Sequence, residues 1–242
     1  MSNIAILLGG GRGTRMGGHV EDKILMMLEG KPVFAYSIEA FIESEVIDSL
    51  VIVYRDIEQK GIIERWILDN IDSVNVPAIF WVQGGARRQD SVVAGLRGLK
   101  EMVGEMEYVY IHDLARPLIQ PGSIKKMHQT LLMEKAVVLA CAVVDTIKQR
   151  VVEASKTLQD LDRDTLWGME TPQAFEYDLV YEAYEEVVRR DLKVTDDAGA
   201  VSILGHPIAI VENDYPNPKI TLQRDVDYLE FLLSNKQRYA AV

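Results

Sequence analysis

The feature that most restricts folding is a recurrence of short, unbroken Val/Ile/Leu runs separated by stretches of helical periodicity. Candidate strands are Ile4–Leu8, Leu50–Tyr54, Ala78–Val82, Tyr108–His112, Ala136–Val144 and Ile208–Val211. Between them, PVFAYSIEAFIES puts Val33, Tyr36, Ile38 and Phe41 near the spacing of one helical face. DSVVAGLRGL and GSIKKMHQTLLM read similarly, the latter with an expected N-cap at Gly122–Ser123. Strands that are apolar throughout and alternate with helices imply a mostly parallel sheet covered on both faces. The expected fold class is α/β, a single Rossmann-like domain over residues 1–242. Such sheets bind ligands outside the carboxyl ends of their strands, so the loops that follow the strands are the place to look for chemistry. One segment breaks the rhythm. Lys148–Gln159, KQRVVEASKTLQ, is polar around Val151–Val152. Two readings stand for it: a hairpin arm, inserted over residues 145–163, or an ordinary surface loop.

With 242 residues, 48% of them hydrophobic, the chain can bury a substantial core. No apolar run approaches the ~18 residues of a membrane span, and MSNIAILL lacks a basic leader and a cleavage site. A soluble cytoplasmic protein with no membrane partner is expected. The lone Cys141, in AVVLACAVV, rules out an internal disulfide and reads as a small core residue. Lys and Arg number 26 against 37 Asp and Glu, a net charge of −11. That balance disfavours nucleic acid as a partner. A small anion could still be held, but only by a local cluster of donors.

Such a cluster follows the first strand. In ILLGGGRGTRMGGHVEDKILMML, Gly9-Gly10-Gly11 lets the backbone turn tightly and offer N–H groups to an anion, and Gly13 continues the bend. Arg15 and Lys23 add mobile positive charge suited to several phosphates. A Walker loop would need Gly-Lys followed by Ser or Thr, which is absent. A dinucleotide fingerprint traced through Gly11 and Gly13 reaches Met16 where its last glycine belongs, so a nicotinamide-dependent oxidoreductase is poorly supported. A nucleotidyltransferase loop, G-G-x-G-x-R-M with a later lysine, fits every position. GGARRQDSV, Gly84 to Val92, repeats the recipe of strand end, glycine pair and arginines. YIHDLARP ends another strand with Asp113, well placed to hold Mg²⁺, which takes few carboxylates plus phosphate oxygens. On its own, such an aspartate is as readily a turn residue. NPKITL offers Lys219 after the last strand. Three basic loops and one carboxylate at strand ends form a pattern that none makes alone.

Together, GGGRGTRM, DK, GGARRQDSV, HDLARP, DTIK, DR, LWGMETPQAF, TDDAG and NPKIT resemble the 2-C-methyl-D-erythritol 4-phosphate cytidylyltransferases, in family order from about Ile4 to Leu233. The ribitol 5-phosphate cytidylyltransferases share most of these motifs, though RRQDSV and DR…LW look more like the former. The resemblance implies a nucleotidyltransferase domain that transfers CMP from CTP to a sugar-alcohol phosphate with Mg²⁺. By motif, Gly9, Gly10, Gly11 and Gly13 would wrap the triphosphate, and Arg15 and Lys23 would neutralise it. Gly85, Arg88 and Ser91 would surround cytosine and ribose. Asp113 would hold the metal, and Ala115 and Arg116 would shape its loop. Thr146, Arg163, Thr171, Thr195 and Lys219 would form the sugar-phosphate side. A homodimer whose arms cross is also implied, which would account for Lys148–Gln159 and make Arg163 serve the partner's site. Lys23 and Lys219 are expected to be exposed loop residues.

Three departures stand out. The family usually has two alanines before the first loop glycine, where this chain has Gly9-Gly10. It commonly has PKQ where this chain has Asp22-Lys23-Ile24 in a slightly longer loop. Loss of that proline is expected to loosen the approach of Lys23, and Asp22 to add negative charge beside it. HDAARP is here His112-Asp113-Leu114-Ala115-Arg116-Pro117. The first two keep open a nucleotide-binding domain without turnover, although Arg15, Lys23, Asp113 and Lys219 together argue for catalysis.

Overall fold

A computed structural model describes residues 2–11, 22–72, 76–102, 106–151 and 157–235. In chain order, β1 (Asn3–Leu8) leads to a small hairpin of β2 (Met27–Leu28) and β3 (Lys31–Pro32), then α1 (Val33–Glu43), β4 (Ser49–Tyr54), α2 (Ile57–Asn70) and β5 (Ala78–Gln83). Next come α3 (Arg88–Met102), β6 (Tyr108–Asp113), α4 (Pro121–Leu131) and β7 (Ala136–Ala142). A second hairpin, β8 (Lys148–Arg150) and β9 (Leu158–Asp160), precedes β10 (Trp167–Glu176). The chain closes with α5 (Tyr177–Arg189), α6 (Asp197–Ser202), β11 (Ala209–Glu212) and α7 (Gln223–Ser234).

Seven strands form one sheet in the order β11-β7-β10-β6-β1-β4-β5. Six run parallel, as expected from their apolar runs; β10 alone is antiparallel, to both β6 and β7. Alternation along the strands splits the core in two. Ala5, Leu7, Leu50 and Ile52 meet α1, α2 and α4 through Phe34, Phe41, Ile63 and Met127. Ile4, Ile6, Val51 and Val53 meet α3, α5 and α6 through Leu96, Val180, Tyr184 and Val201. Each fully buried side chain of this size stabilises the fold by roughly 1.5–3 kcal/mol relative to exposure. A third cluster, with Leu28, Val33, Leu118, Ile220, Val226 and Leu229, seats α7 over the β2–β3 hairpin. That contact brings the segment before α7 alongside the carboxyl end of the sheet.

Four expectations need correction. Cys141 is exposed, because β7 projects past the covering helices at its end. The same strand stops at Ala142, short of Val144. Helix α4 starts before Gly122–Ser123: Gln120 is its N-cap and Pro121, whose missing N–H costs nothing there, its first residue. Strand β10 was not among the expected strands. The segment around Lys148–Gln159 is a hairpin, with Lys148 opposite Asp160 and Arg150 opposite Leu158. Among the described residues, no helix is long and apolar enough to cross a membrane.

Candidate active site

The chain order reverses across β1, whose neighbours are β4 on one side and β6 on the other. Sheets of this kind open a crevice at such a switch point. Here the crevice starts where β1, β4, β5 and β6 hand over to loops. The first residue of each glycine loop simply extends the ladder: Gly9 N donates to Val53 O at 2.8 Å and Gly84 N to Tyr54 O at 2.7 Å. The Gly9 N–H is therefore not available to an anion, contrary to the expectation of an open nest there. Gly9 is glycine for a packing reason, since a Cβ would stand 3.0 Å from Ile24 Cδ1 and 3.1 Å from Val53 O. At Gly11 a Cβ would meet nothing, so that part of the loop faces open space. In the second loop a Cβ on Gly85 would lie 2.4 Å from Asp90 Cβ, and Gly85 N donates to the buried Ser91 Oγ at 3.2 Å. The start of α3 and the glycine loop are thus locked together.

Asp113, at the end of β6, is the electrostatic centre. Its Oδ1 accepts from Arg88 Nε at 3.0 Å and its Oδ2 from Lys219 Nζ at 2.5 Å. Burial alone would raise this carboxyl, but Arg88 and Lys219 outweigh it and hold it well below the usual carboxylate range. Arg88 in turn forms a two-pronged pair with the fully buried Asp197, at 2.9 and 2.8 Å. Tyr184 Oη donates to Asp197 Oδ1 at 2.5 Å. Behind Asp113, its N–H donates to Thr171 Oγ1 at 3.1 Å, and that hydroxyl also meets His112 Nδ1 at 3.0 Å. Thr171 reaches this position because the pairing of β10 with β7 shifts register between Met169 and Gln173.

Lys23 and Lys219 are half-buried rather than exposed. Lys23 Nζ donates to Ile220 O at 2.9 Å, next to Lys219, so the β1–β2 segment and the loop before α7 bring their lysines to the same crevice. Asp22 does not crowd Lys23 with charge as expected. It turns inward, where it accepts from Arg55 Nη1 at 2.9 Å and Gln59 Nε2 at 2.6 Å. Arg116 donates from Nη1 to Asn217 O at 2.6 Å and so anchors the loop that carries Lys219. Ala115 does the same through its carbonyl, which accepts from Ile220 N at 2.8 Å.

The resulting cleft has a volume of about 640 Å³ and is lined by Gly9, Gly10, Gly11, Lys23, Gly85, Arg88, Ser91, Asp113, Ala115 and Lys219 among others. Those ten residues of the sequence reading therefore converge. Arg15 and Gly13 lie outside the described residues. Thr171 is buried behind the cleft. Thr146, Arg163 and Thr195 are exposed and away from its lining; Arg163 Nη1 donates to Val144 O at 3.1 Å, on the two segments that flank the β8–β9 hairpin. The sequence reading missed Arg55, Arg87 and Thr221 on the wall, and Asp197 beneath it. For Asp197 a signal existed, the second acid of TDDAG just inside a helix start. Among the described residues no three His, Cys, Asp or Glu side chains gather as a metal cluster. A cation here would depend on Asp113 and on oxygens of its ligand.

Glycine loops, convergent cations and one carboxylate at the switch point of a mostly parallel sheet define the class as nucleotidyltransferases. Within it, the model of the 2-C-methyl-D-erythritol 4-phosphate cytidylyltransferase (IspD) family matches residues 3–235, and the chain belongs to that family. Similar curated proteins of that name include one from Lachnospira eligens, 39% identical over 93% of this chain and 96% of its own. Another, from Clostridium beijerinckii, is 34% identical over 96% and 98%. Among solved structures, the 4-diphosphocytidyl-2C-methyl-D-erythritol synthase of Anaerococcus prevotii superimposes with a TM-score of 0.81 at 26% identity, covering 97% of this chain and 99% of that one.

Proposed function

We propose that the chain transfers CMP from CTP to 2-C-methyl-D-erythritol 4-phosphate, releasing pyrophosphate, a step of non-mevalonate isoprenoid precursor synthesis. The observation that carries this reading is the convergence of both glycine loops, Lys23, Lys219 and Asp113 on one cleft, in a chain that matches the family along nearly its whole length. An oxygen of the acceptor's phosphate forms the new bond to the α-phosphorus of CTP, and the bond from that phosphorus to the α,β-bridging oxygen breaks. The acceptor phosphate is already ionised near neutral pH, so no protein base is required. Catalysis then rests on positioning and on cations that meet the charge developing at the α-phosphate. Lys23 and Lys219, both lining the cleft, are suited to that work. Gly10, Gly11 and Arg15 would hold the triphosphate, Gly85 and Ser91 the nucleoside, and Thr146, Arg163, Thr171 and Thr195 the acceptor side.

Mg²⁺ belongs to the same proposal, with Asp113 and phosphate oxygens as its ligands. The donor set fits on one condition. Both Asp113 oxygens are engaged, so Lys219 would have to leave Oδ2, where it could then turn to phosphate. When bound, the ion supplies neutralisation of the polyphosphate charge. A cytoplasmic homodimer with exchanged arms completes the reading. Exposed Val144, Val151 and Leu158 support it, since a hairpin so poorly covered calls for a second surface.

The test is a side-by-side assay of Mg²⁺-dependent pyrophosphate release from CTP with 2-C-methyl-D-erythritol 4-phosphate and with ribitol 5-phosphate. Turnover with the first is expected to dominate. Faster turnover with ribitol 5-phosphate would overturn the acceptor, and tight CTP binding without product from either would overturn the enzyme.

A further inference from the structure

Asp22 has no part in the chemistry above, yet it is more buried than its neighbour Lys23, at 6% exposure. A buried carboxylate is costly unless donors meet its oxygens. Three do so here. Oδ2 accepts from Gln59 Nε2 at 2.6 Å and Arg55 Nη1 at 2.9 Å, and Oδ1 accepts from Ile24 N at 3.2 Å. Gln59 is fully buried in the first turn of α2, and its Nε2 also donates to Gly9 O at 3.0 Å. One amide thus joins the carbonyl that opens the glycine loop to the carboxylate that precedes Lys23. Its orientation is fixed, because Gln59 Oε1 accepts from Arg55 N at 2.7 Å.

The bond from Ile24 N closes Asp22 into an Asx turn, and Leu25 N donates to Asp22 O at 3.1 Å over the same residues. Lys23 sits inside that turn, with Nζ on Ile220 O. A lysine has a long flexible stem with many rotamers, so it is aimed only as well as its backbone is held.

We propose that Asp22 and Gln59 are positioning residues for Lys23: their buried carboxylate–amide contact fixes the turn from which Lys23 reaches the phosphates of CTP. This inference rests on the cytidylyltransferase reading. Asp22→Asn keeps the side-chain volume and the acceptor for Ile24 N, but sets an amide against the donors of Gln59 and Arg55. Gln59→Leu removes the amide from the other side. Each is expected to lower kcat/KM for CTP by about 10–100-fold, the scale of a small misplacement near the reacting atoms. The KM for the sugar phosphate should stay within about twofold, since Lys219 and its loop are held by other contacts.

A double-mutant cycle separates positioning from structure. If Asp22 acts through Lys23, adding Asp22→Asn to Lys23→Ala should cost less than about threefold more. An equal loss in both backgrounds, or equal shifts in both KM values, would overturn the inference. So would failure of both single variants to give a folded circular dichroism spectrum, because the role would then be structural. A wild-type protein that releases no pyrophosphate from CTP defeats the underlying reading instead, and so the two failures are distinct.

Discussion

Lys219 and Arg88 share one carboxylate, and that sharing governs what substitution does at this scale. Removing the ammonium leaves Asp113 paired to Arg88 and the scaffold intact. Lys219→Ala is expected to cut kcat by at least about 100-fold, as for one lost transition-state charge contact, with the fold retained. Near wild-type turnover would remove Lys219 from the chemistry. His112 makes a second case. It is fully buried between Ser37 Oγ at 3.2 Å and Thr171 Oγ1 at 3.0 Å, and burial pushes its imidazole down to about 3. The folded protein keeps this ring neutral, whereas the unfolded chain protonates it below its ordinary value of 6.5. Protons therefore favour the unfolded state as pH falls from 6.5 toward 3, and stability is lost across that window at up to about 1.4 kcal/mol per pH unit. Urea denaturation at pH 7 and at pH 5 should show the fall, and His112→Gln should flatten it. A wild-type profile that is flat over that range would count against a buried neutral ring. At this scale the loop residues were legible because each follows a plain apolar strand. Asp197 showed only its place at a helix start; its pairing with Arg88, 109 residues away, left no local pattern. Asp22 was misjudged for a related reason: a charge beside a lysine looks solvated until its buried partners are known.

Among elements, the inner parallel strands β1, β4, β6 and β7 were readable because burial on both faces makes them nearly uniformly apolar, and the half-exposed edge strands β5 and β11 were readable from their short apolar runs. Strand β10 hid behind Gly168, Glu170 and Pro172, residues that argue against a central strand. It tolerates the proline because ladder pairing to β7 is interrupted there, between Met169 and Gln173. The polar residues of that interruption face inward to work: Thr171 supports Asp113, and Glu170 accepts from Asn213 Nδ2 at 2.8 Å. Helix α3 is coupled to its preceding loop by contact rather than by sequence pattern. Gly85→Ala would drive a methyl group into Asp90, with Asp90 backbone carbon only 3.2 Å away, so the loop or the helix start must shift. A stability loss of about 1–3 kcal/mol and a raised KM for CTP are expected, the sugar-phosphate KM changing little. Denaturation and two-substrate kinetics on one preparation check both halves; unchanged values would mean that the loop yields freely.

For the whole molecule, the proposed arm exchange is the feature that calls for a test on more than one chain. If Arg163 reaches the partner's acceptor phosphate, Arg163→Ala should raise the KM for the sugar phosphate and leave CTP affinity nearly unchanged. The cost of one charge-assisted contact is roughly 1.5–3 kcal/mol. Co-refolding Arg163→Ala with Lys23→Ala protein tests the sharing directly. In a mixed dimer with exchanged arms one site carries both defects and the other neither, so activity should partly return. With Arg163 acting in its own chain, each site keeps one defect and nothing is regained.

Four of the described cations that line the cleft are paired to carboxylates: Lys219 and Arg88 on Asp113, Arg55 on Asp22, Arg87 on Asp90. From a distance, then, a nucleotide meets the −11 of the chain more than the basic groups within. Encounter is expected to be slowed by repulsion, with attraction confined to short range, where the phosphates reach Lys23 and compete with the carboxylates for the other cations. Added salt shortens the reach of that repulsion, with a screening length of about 10 Å at 0.1 M. The association rate of CTP, followed by stopped flow, should rise between about 10 and 150 mM salt, the reverse of a bare basic cleft. A falling rate would assign capture to the cleft's own field. Slow recruitment followed by firm retention favours ligands with several negative charges, and so lets a strongly acidic protein choose a triphosphate over the single phosphates around it.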